Sequence, residues 1–242
     1  MKIEADLHVH TVASGHAYST VEEITREAAK RGLKMVALTD HGPALPGGAH
    51  PYHFWNLRIM PSELNGVRIL KGVEANITNA EADLDLKPEY LNALQIVLVG
   101  FHPNCGYVSD TEAQNTATLI KAMDNPYTDF IAHPGNAKFP INPEQIVNAA
   151  AQRGIALEIN NSSFLPTSSR EAASDFDLQI IDFAKEKGLP LILSSDAHIY
   201  TQVGVVDKAS ELLKRAGVEP EQVLNTSVSA VLDYLAKRRA GR

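Results

Sequence analysis

Histidines and carboxylates are spaced along this chain in a way that suits metal coordination. His8-Val9-His10 sets two imidazoles two residues apart, so an extended backbone turns both to one side. Asp196-Ala197-His198 offers a carboxylate and an imidazole at the same interval, and His16, His41, Glu74, His102 and His133 lie between. Imidazole suits zinc, iron and manganese, and a carboxylate can bridge two ions and lower their repulsion. Nine candidate ligands exceed the needs of one ion. At about three to four protein ligands per catalytic ion, with positions left for water, they suffice for two or three.

A lone histidine is more often a hydrogen-bonded rim residue than a ligand, and an isolated HxH pair recurs by chance. The placement of the whole set argues otherwise. Apolar, β-branched runs at 3–8, 35–39, 67–74, 96–101, 130–133, 155–159 and 191–194 alternate with amphipathic stretches at 21–31, 110–123, 143–153, 177–187, 205–215 and 228–237. Gly32, Gly154, Gly188 and Gly217 follow four of the expected helices, and Pro143 and Pro220 mark first turns. Strand–helix alternation implies parallel βαβ units, and about seven repeats favour a barrel over an open sheet. No composition break interrupts the chain, so residues 1–242 read as one domain. His8, His10, His41, His102, His133 and His198 each fall at or just past the carboxyl end of an expected strand, with His16 in the loop after the first. Glu74 and Asp196 join the same rim. Functional groups gather at that end in parallel α/β folds.

Composition narrows the substrate. The chain of 242 residues is 44% hydrophobic and 21% charged, with a formal net charge of −7. It lacks the cationic field that long nucleic acids or anionic membranes require, although bound cations could attract a small anion locally. One cysteine, Cys105, excludes an internal disulfide framework and fits a reducing compartment. Neither a signal peptide nor a membrane-length apolar run is visible, so the expected location is cytoplasmic. The basic end, 237–242, reads as a solvated helix terminus and frayed tail.

The motif series resembles a known family. His8-Val9-His10, Thr39-Asp40-His41, Glu74, His102, His133 and Ser195-Asp196-Ala197-His198 follow the order of the PHP (polymerase and histidinol phosphatase) domain. Asp6-Leu7-His8-Val9-His10-Thr11, Thr39-Asp40-His41-Gly42-Pro43, Gly72-Val73-Glu74-Ala75-Asn76, His133-Pro134-Gly135-Asn136 and Leu157-Glu158-Ile159-Asn160-Asn161 are similar to its YcdX-like phosphatase subgroup, over nearly the whole chain. The resemblance implies an α/β fold, a distorted (β/α)7 TIM-like barrel with a trinuclear metal centre in its carboxyl-end cleft. One ion would be held by His8, His10, Glu74 and Asp196, a second by Glu74, His102 and His133, and a third by His16, His41 and His198. No departure occurs at these nine positions.

The expected activity is hydrolysis of a small phosphomonoester by a metal-bound hydroxide, since the ligand set includes no serine, cysteine or lysine nucleophile paired with a base. Three divalent ions are expected, zinc first, with iron or manganese fitting the same donors. Glu74 and Asp196 serve the catalytic centre, and Arg58 is a candidate to grip the phosphate. The alternatives are a phosphodiesterase or nuclease using the same ions, and a non-catalytic, metal-stabilised binding domain. A homo-oligomer fits either. Asp6 and Asp40 are expected to orient imidazoles or backbone, His50 and His53 to lie in an exposed loop, and Asn160 and Asn161 to face substrate or satisfy loop backbone. Trp55 is as readily packing as a stacking platform, and Cys105 is expected to be packing.

Overall fold

Residues 1–166 and 173–240 are described by the structure, a computed structural model. Its strands are β1 (Ala5–Val9), β2 (Met35–Leu38), β3 (Glu63–Leu64), β4 (Val67–Asn76), β5 (Ile96–Gly100), β6 (Phe130–Ile131), β7 (Ala156–Asn160) and β8 (Leu191–Ser194). The helices are α1 (Val21–Lys30), α2 (Pro51–Asn56), α3 (Pro88–Ala93), α4 (Glu112–Ala122), α5 (Pro143–Arg153), α6 (Ala173–Lys187), α7 (Asp207–Arg215) and α8 (Val228–Arg239). All seven expected strands and six expected helices are present. Sequence patterning missed α2, α3 and β3, which are six residues or shorter and carry too few turns for a period to show. Gly241 and Arg242 of the expected basic tail lie outside the described residues.

Local chemistry explains the helix boundaries. Thr20 opens α1 with a capping box, its hydroxyl accepting from Glu23 N at 3.3 Å while Glu23 Oε2 accepts from Thr20 N at 2.8 Å. Asn142 caps α5, Pro143 sits in its first turn, and Gly154 ends it at φ 62°. Among the described residues, no helix is long and apolar enough to cross a membrane.

Seven strands run parallel in the order β1-β2-β4-β5-β6-β7-β8, and β3 pairs antiparallel with β4. Alternate residues of each parallel strand face two different cores. Leu7, Ala37, Leu70, Leu98, Phe130, Ala156 and Ile192 fill the interior with Val231 and Leu235 of α8, which closes the amino-terminal mouth. Val36, Ile69, Val97, Ile131, Leu157 and Leu193 pack outward with apolar residues of the helices. The result is a nearly closed barrel, as expected.

Two backbone departures from regular alternation aim side chains at the carboxyl-end rim. In β1, Asp6 pairs with Val36 but Val9 pairs with Leu38, a slip of one residue. Leu7 already faces inward, so strict alternation would turn His8 outward. The bulge lets His8 follow Leu7 into the barrel, and Val9 then packs outward. In β6, Ile131 packs outward and Ala132 inward, and His133 leaves the strand conformation at φ 31°.

The seam between β1 and β8 lacks a continuous ladder. At the rim it holds one bridge, Val9 to Ala197, with His10 N donating to Ala197 O at 2.9 Å. Below, side chains replace backbone. Asp6 is fully buried and accepts from Ser195 N at 3.2 Å, Gly204 N at 2.7 Å and the Ser195 hydroxyl. Burial pushes its pKa up, against those hydrogen bonds. At the amino-terminal end, Asn225 accepts from Leu193 N at 2.9 Å and donates to Ala5 O at 2.7 Å and Leu193 O at 2.6 Å. Asn225 thus serves as a one-residue substitute for the missing strand pairing. Asn225→Ala should lower unfolding stability by roughly 2–5 kcal/mol in urea titration, because each buried polar group left unpaired costs about 1–3 kcal/mol. A loss below ~0.5 kcal/mol, the range of a neutral surface substitution, would show that the seam is held elsewhere.

Candidate metal centre

All seven parallel strands deliver polar side chains to one cluster. His8 comes from β1 and His10 from just beyond it, His41 follows β2, Glu74 lies in β4, and His102, His133 and Asp196 follow β5, β6 and β8. Glu158 and Asn160 come from β7. At the centre is Glu74, with no exposed surface. Its Oε2 lies 3.2 Å from His8 Nε2, 3.5 Å from His10 Nε2 and 2.9 Å from His41 Nδ1. Its Oε1 lies 3.0 Å from His102 Nε2 and 2.7 Å from His133 Nε2. Asp196 Oδ1 stands 3.1 Å from His10 Nε2 and 3.5 Å from His8 Nε2. At the outer end His16 Nε2 meets His198 Nε2 at 3.0 Å.

The opposite ring nitrogens are anchored to protein. His198 Nδ1 donates to the Asp196 carbonyl at 3.0 Å, because that oxygen only accepts. His8 Nδ1 faces Glu158 Oε1 at 2.7 Å, and His10 Nδ1 faces the Ser14 hydroxyl at 3.4 Å. With protons on Nδ1, three Nε2 lone pairs point into the cluster. Ser14 also donates to Asp40 Oδ1 at 2.7 Å and accepts from His41 N at 3.1 Å, tying the His10 and His41 loops together.

Electrostatics follow from this crowding. Burial works against charge on His8, but Glu158, Glu74 and Asp196 outweigh it and raise the pKa well above the ordinary imidazole range. His10 moves well below it, through burial and the neighbouring His41 and His198. His16 falls to about 4, for burial and the same two neighbours. Burial opposes ionisation of Glu74, yet His8, His102 and His41 hold its pKa well down. Positive charge on His8 or on bound cations therefore balances the carboxylates, while His10 and His16 favour the neutral form.

A bound divalent ion fits that requirement. His8 Nε2, His41 Nδ1 and Glu74 Oε2 are buried, converge within hydrogen-bonding distance, and lack hydrogen-bond geometry to one another. Atoms aimed at a common absent centre behave in this way. Among the described residues, three overlapping donor groups, each with ligand atoms within 4.8 Å of one another, could hold a metal: His8 with His10 and Glu74, His41 with Glu74 and His102, and His10 with His41 and His198.

The cluster opens into a cleft of about 600 Å³. His16, His41, His102, Asp196 and His198 form part of its lining; Leu45, Pro46, Pro103, Leu165, Asn104, Asn136, Lys138, Ser162 and Gln202 form the rest. Arg58 is the residue the sequence offers to grip a phosphate. It is exposed, does not line this cleft, and carries its guanidinium 5.1 Å from the Trp55 ring centroid. A single arginine in an unrecognised short helical segment gave sequence patterning no facing direction. The cation in the cleft wall is Lys138, which the sequence did not single out.

Other candidates take structural places. Asp40 accepts from Thr11 N at 2.7 Å and the Thr11 hydroxyl at 2.8 Å, and His53 Nε2 lies 3.3 Å from its Oδ2. His50 caps α2 by accepting from Tyr52 N at 3.1 Å. Asn161 accepts from Lys208 N at 2.9 Å and Ala209 N at 3.1 Å, capping α7 from across a loop. Asn160 donates to Asp196 Oδ2 at 3.1 Å. Trp55 meets Tyr90 edge-on. Cys105 is buried, and burial with Asp85 and Glu74 nearby pushes its thiol up to about 12, so it holds no thiolate at neutral pH. Sequence reasoning gave Glu158 no role. The available signal was a glutamate inside the apolar run 155–159, two residues before Asn160 and on the same strand face.

Known proteins agree with this architecture. The chain is 44% identical over 239 residues to a "Probable phosphatase" of Thermoanaerobacter sp. (strain X514), covering 99% of this chain and 97% of that one. It is 45% identical over 235 residues to a "Probable phosphatase" of Syntrophotalea carbinolica, covering 97% of each. The fold is shared with histidinol phosphate phosphatase from Lactococcus lactis, solved with zinc, L-histidinol and phosphate, at a TM-score of 0.67 and 19% identity, over 90% of this chain and 95% of that one. The PHP domain description matches residues 6–162. With these motifs, this barrel and these relatives, the chain belongs to the PHP domain family.

Proposed function

We propose that this protein is a metal-dependent phosphatase acting on a small phosphomonoester. The observation that carries the reading is the convergence of five imidazoles on the two oxygens of buried Glu74, with two of them, His41 and His102, lining an open cleft. The names of the similar proteins and the zinc and phosphate bound by the Lactococcus enzyme support it. We assign His8, His10, Glu74 and Asp196 to one ion, Glu74, His102 and His133 to a second, and His16, His41 and His198 to a third. His41 also approaches Glu74, so the second and third groups share a border. Zinc suits this imidazole-rich set, and iron or manganese fits the same donors.

When bound, divalent ions supply the acidity that activates water near neutral pH and the charge that neutralises a phosphoryl group. The chain itself supplies position. Glu74 holds both halves of the cluster in one register, and Nδ1 anchors keep three ring nitrogens turned inward. Lys138, with no acidic partner among the described residues, faces the cleft and contributes positive charge for the substrate's phosphate. A cleft of about 600 Å³ and a net charge of −7 favour a small ester over a polyanion.

Three measurements test the reading. Zinc or manganese at about 100 times its Kd should stabilise the metal-free protein by ~2.7 kcal/mol per site, raising Tm by roughly 5–10 °C. No shift with any divalent ion would remove the metal centre. Hydrolysis of p-nitrophenyl phosphate should exceed that of its bis-ester, vanish on chelation, and fall more than ~100-fold in Glu74→Ala and Asp196→Ala. Preference for the bis-ester would make the enzyme a phosphodiesterase, and full activity after chelation would refute the mechanism. Finally, Lys138→Ala should raise KM about 10-fold with a smaller change in kcat, and Lys138→Arg should restore most of it. An unchanged KM would take Lys138 out of substrate binding.

A further inference from the structure

Glu158 is a carboxylate with no exposed surface, in a strand buried at every position. Burying such a charge is costly unless partners surround it. Its partners are specific. His8 Nδ1 donates to Oε1 at 2.7 Å, and the Ser194 hydroxyl donates to the same oxygen. Oε2 accepts from His133 N at 2.6 Å and Asn160 Nδ2 at 3.1 Å. The Asn160 amide also donates to Asp196 Oδ2 at 3.1 Å. Glu158 itself neither lines the cleft nor joins a donor group that could hold an ion.

We infer that Glu158 is a positioning residue that sets three ligands of the centre at once: the tautomer of His8, the backbone turn at His133 and the carboxylate of Asp196. The inference rests on the metal-centre reading above. For His8, a carboxylate at Nδ1 requires the proton there and leaves the Nε2 lone pair free to bind an ion on the side of Glu74 and Asp196. For His133, the left-handed backbone at φ 31° is unfavourable for a side chain of this size, and its N–H is held by Glu158. For Asp196, also left-handed at φ 52°, Asn160 relays the same anchor. The bonds tie β1, β6, β7 and β8 together below the rim.

The variant Glu158→Gln separates positioning from space-filling. Its amide group must face either His8 Nδ1, favouring the wrong tautomer, or the His133 N–H, where two donors oppose. Chelator competition should show metal affinity 10–100-fold weaker than wild type, while Ile146→Ala, a buried truncation in α5 on the outer core, should leave it within about threefold. Long-range ¹⁵N–¹H spectra of the zinc-loaded wild type should place the His8 proton on Nδ1, with Glu158→Gln showing the other tautomer or exchange. Equal affinity with an unchanged tautomer would overturn the inference. If Glu158→Gln fails to fold, the wild-type spectrum still decides: a His8 bound to metal through Nδ1 would refute it. A wild type that binds no zinc would instead refute the metal-centre reading.

Discussion

One buried carboxylate governs the organisation of this molecule. Glu74 lies near the carboxyl end of β4, the longest described strand, without solvent, and five imidazoles approach its two oxygens. An isolated carboxylate could not stay ionised there, so its charge must be balanced by protons on histidine or by cations held between. The approaching imidazoles come from four strand ends, those of β1, β2, β5 and β6, which makes the charge balance a constraint on much of the barrel rim. The sheet must close far enough for β1 and β8 to face β4, and it does so with side chains where backbone pairing stops.

That demand explains several local irregularities. The one-residue slip in β1 turns His8 inward beside Leu7, and left-handed backbone at His133 and Asp196 re-aims two more side chains. Each left-handed residue costs about 1–3 kcal/mol in isolation. Hydrogen bonds from Glu158 and Asn160 hold them in place, and Asp6 and Asn225 stitch the adjoining seam. Polar groups that appear wasteful inside an apolar barrel therefore form its mechanical support.

Much of this was legible in the sequence. Apolar runs gave the seven parallel strands, since strands buried on both faces leave long β-branched stretches such as 67–74 and 96–101. Positions of histidines relative to those strand ends gave the cluster, because topology converts strand-end position into proximity. What patterning could not supply was direction. Period-two alternation cannot anticipate a bulge, so His8 and His10 share a face in space for a reason the HxH spacing only half contains. Glu158 was hidden for a similar cause: its role depends on partners at positions 8, 133 and 194. Arg58 shows the same limit, since a residue type says nothing about whether its segment points to the cleft. Short helices such as α2, which carries His53 to Asp40, fall below the length at which any period is visible.

The most direct test of the central claim is anomalous diffraction from crystals of the zinc-loaded protein. The account predicts anomalous peaks on both sides of the Glu74 carboxylate, one contacting His8, His10 and Asp196 and the other contacting His102 and His133. Zinc found only on surface histidines, or a single ion that leaves one oxygen of Glu74 without a metal contact, would contradict it.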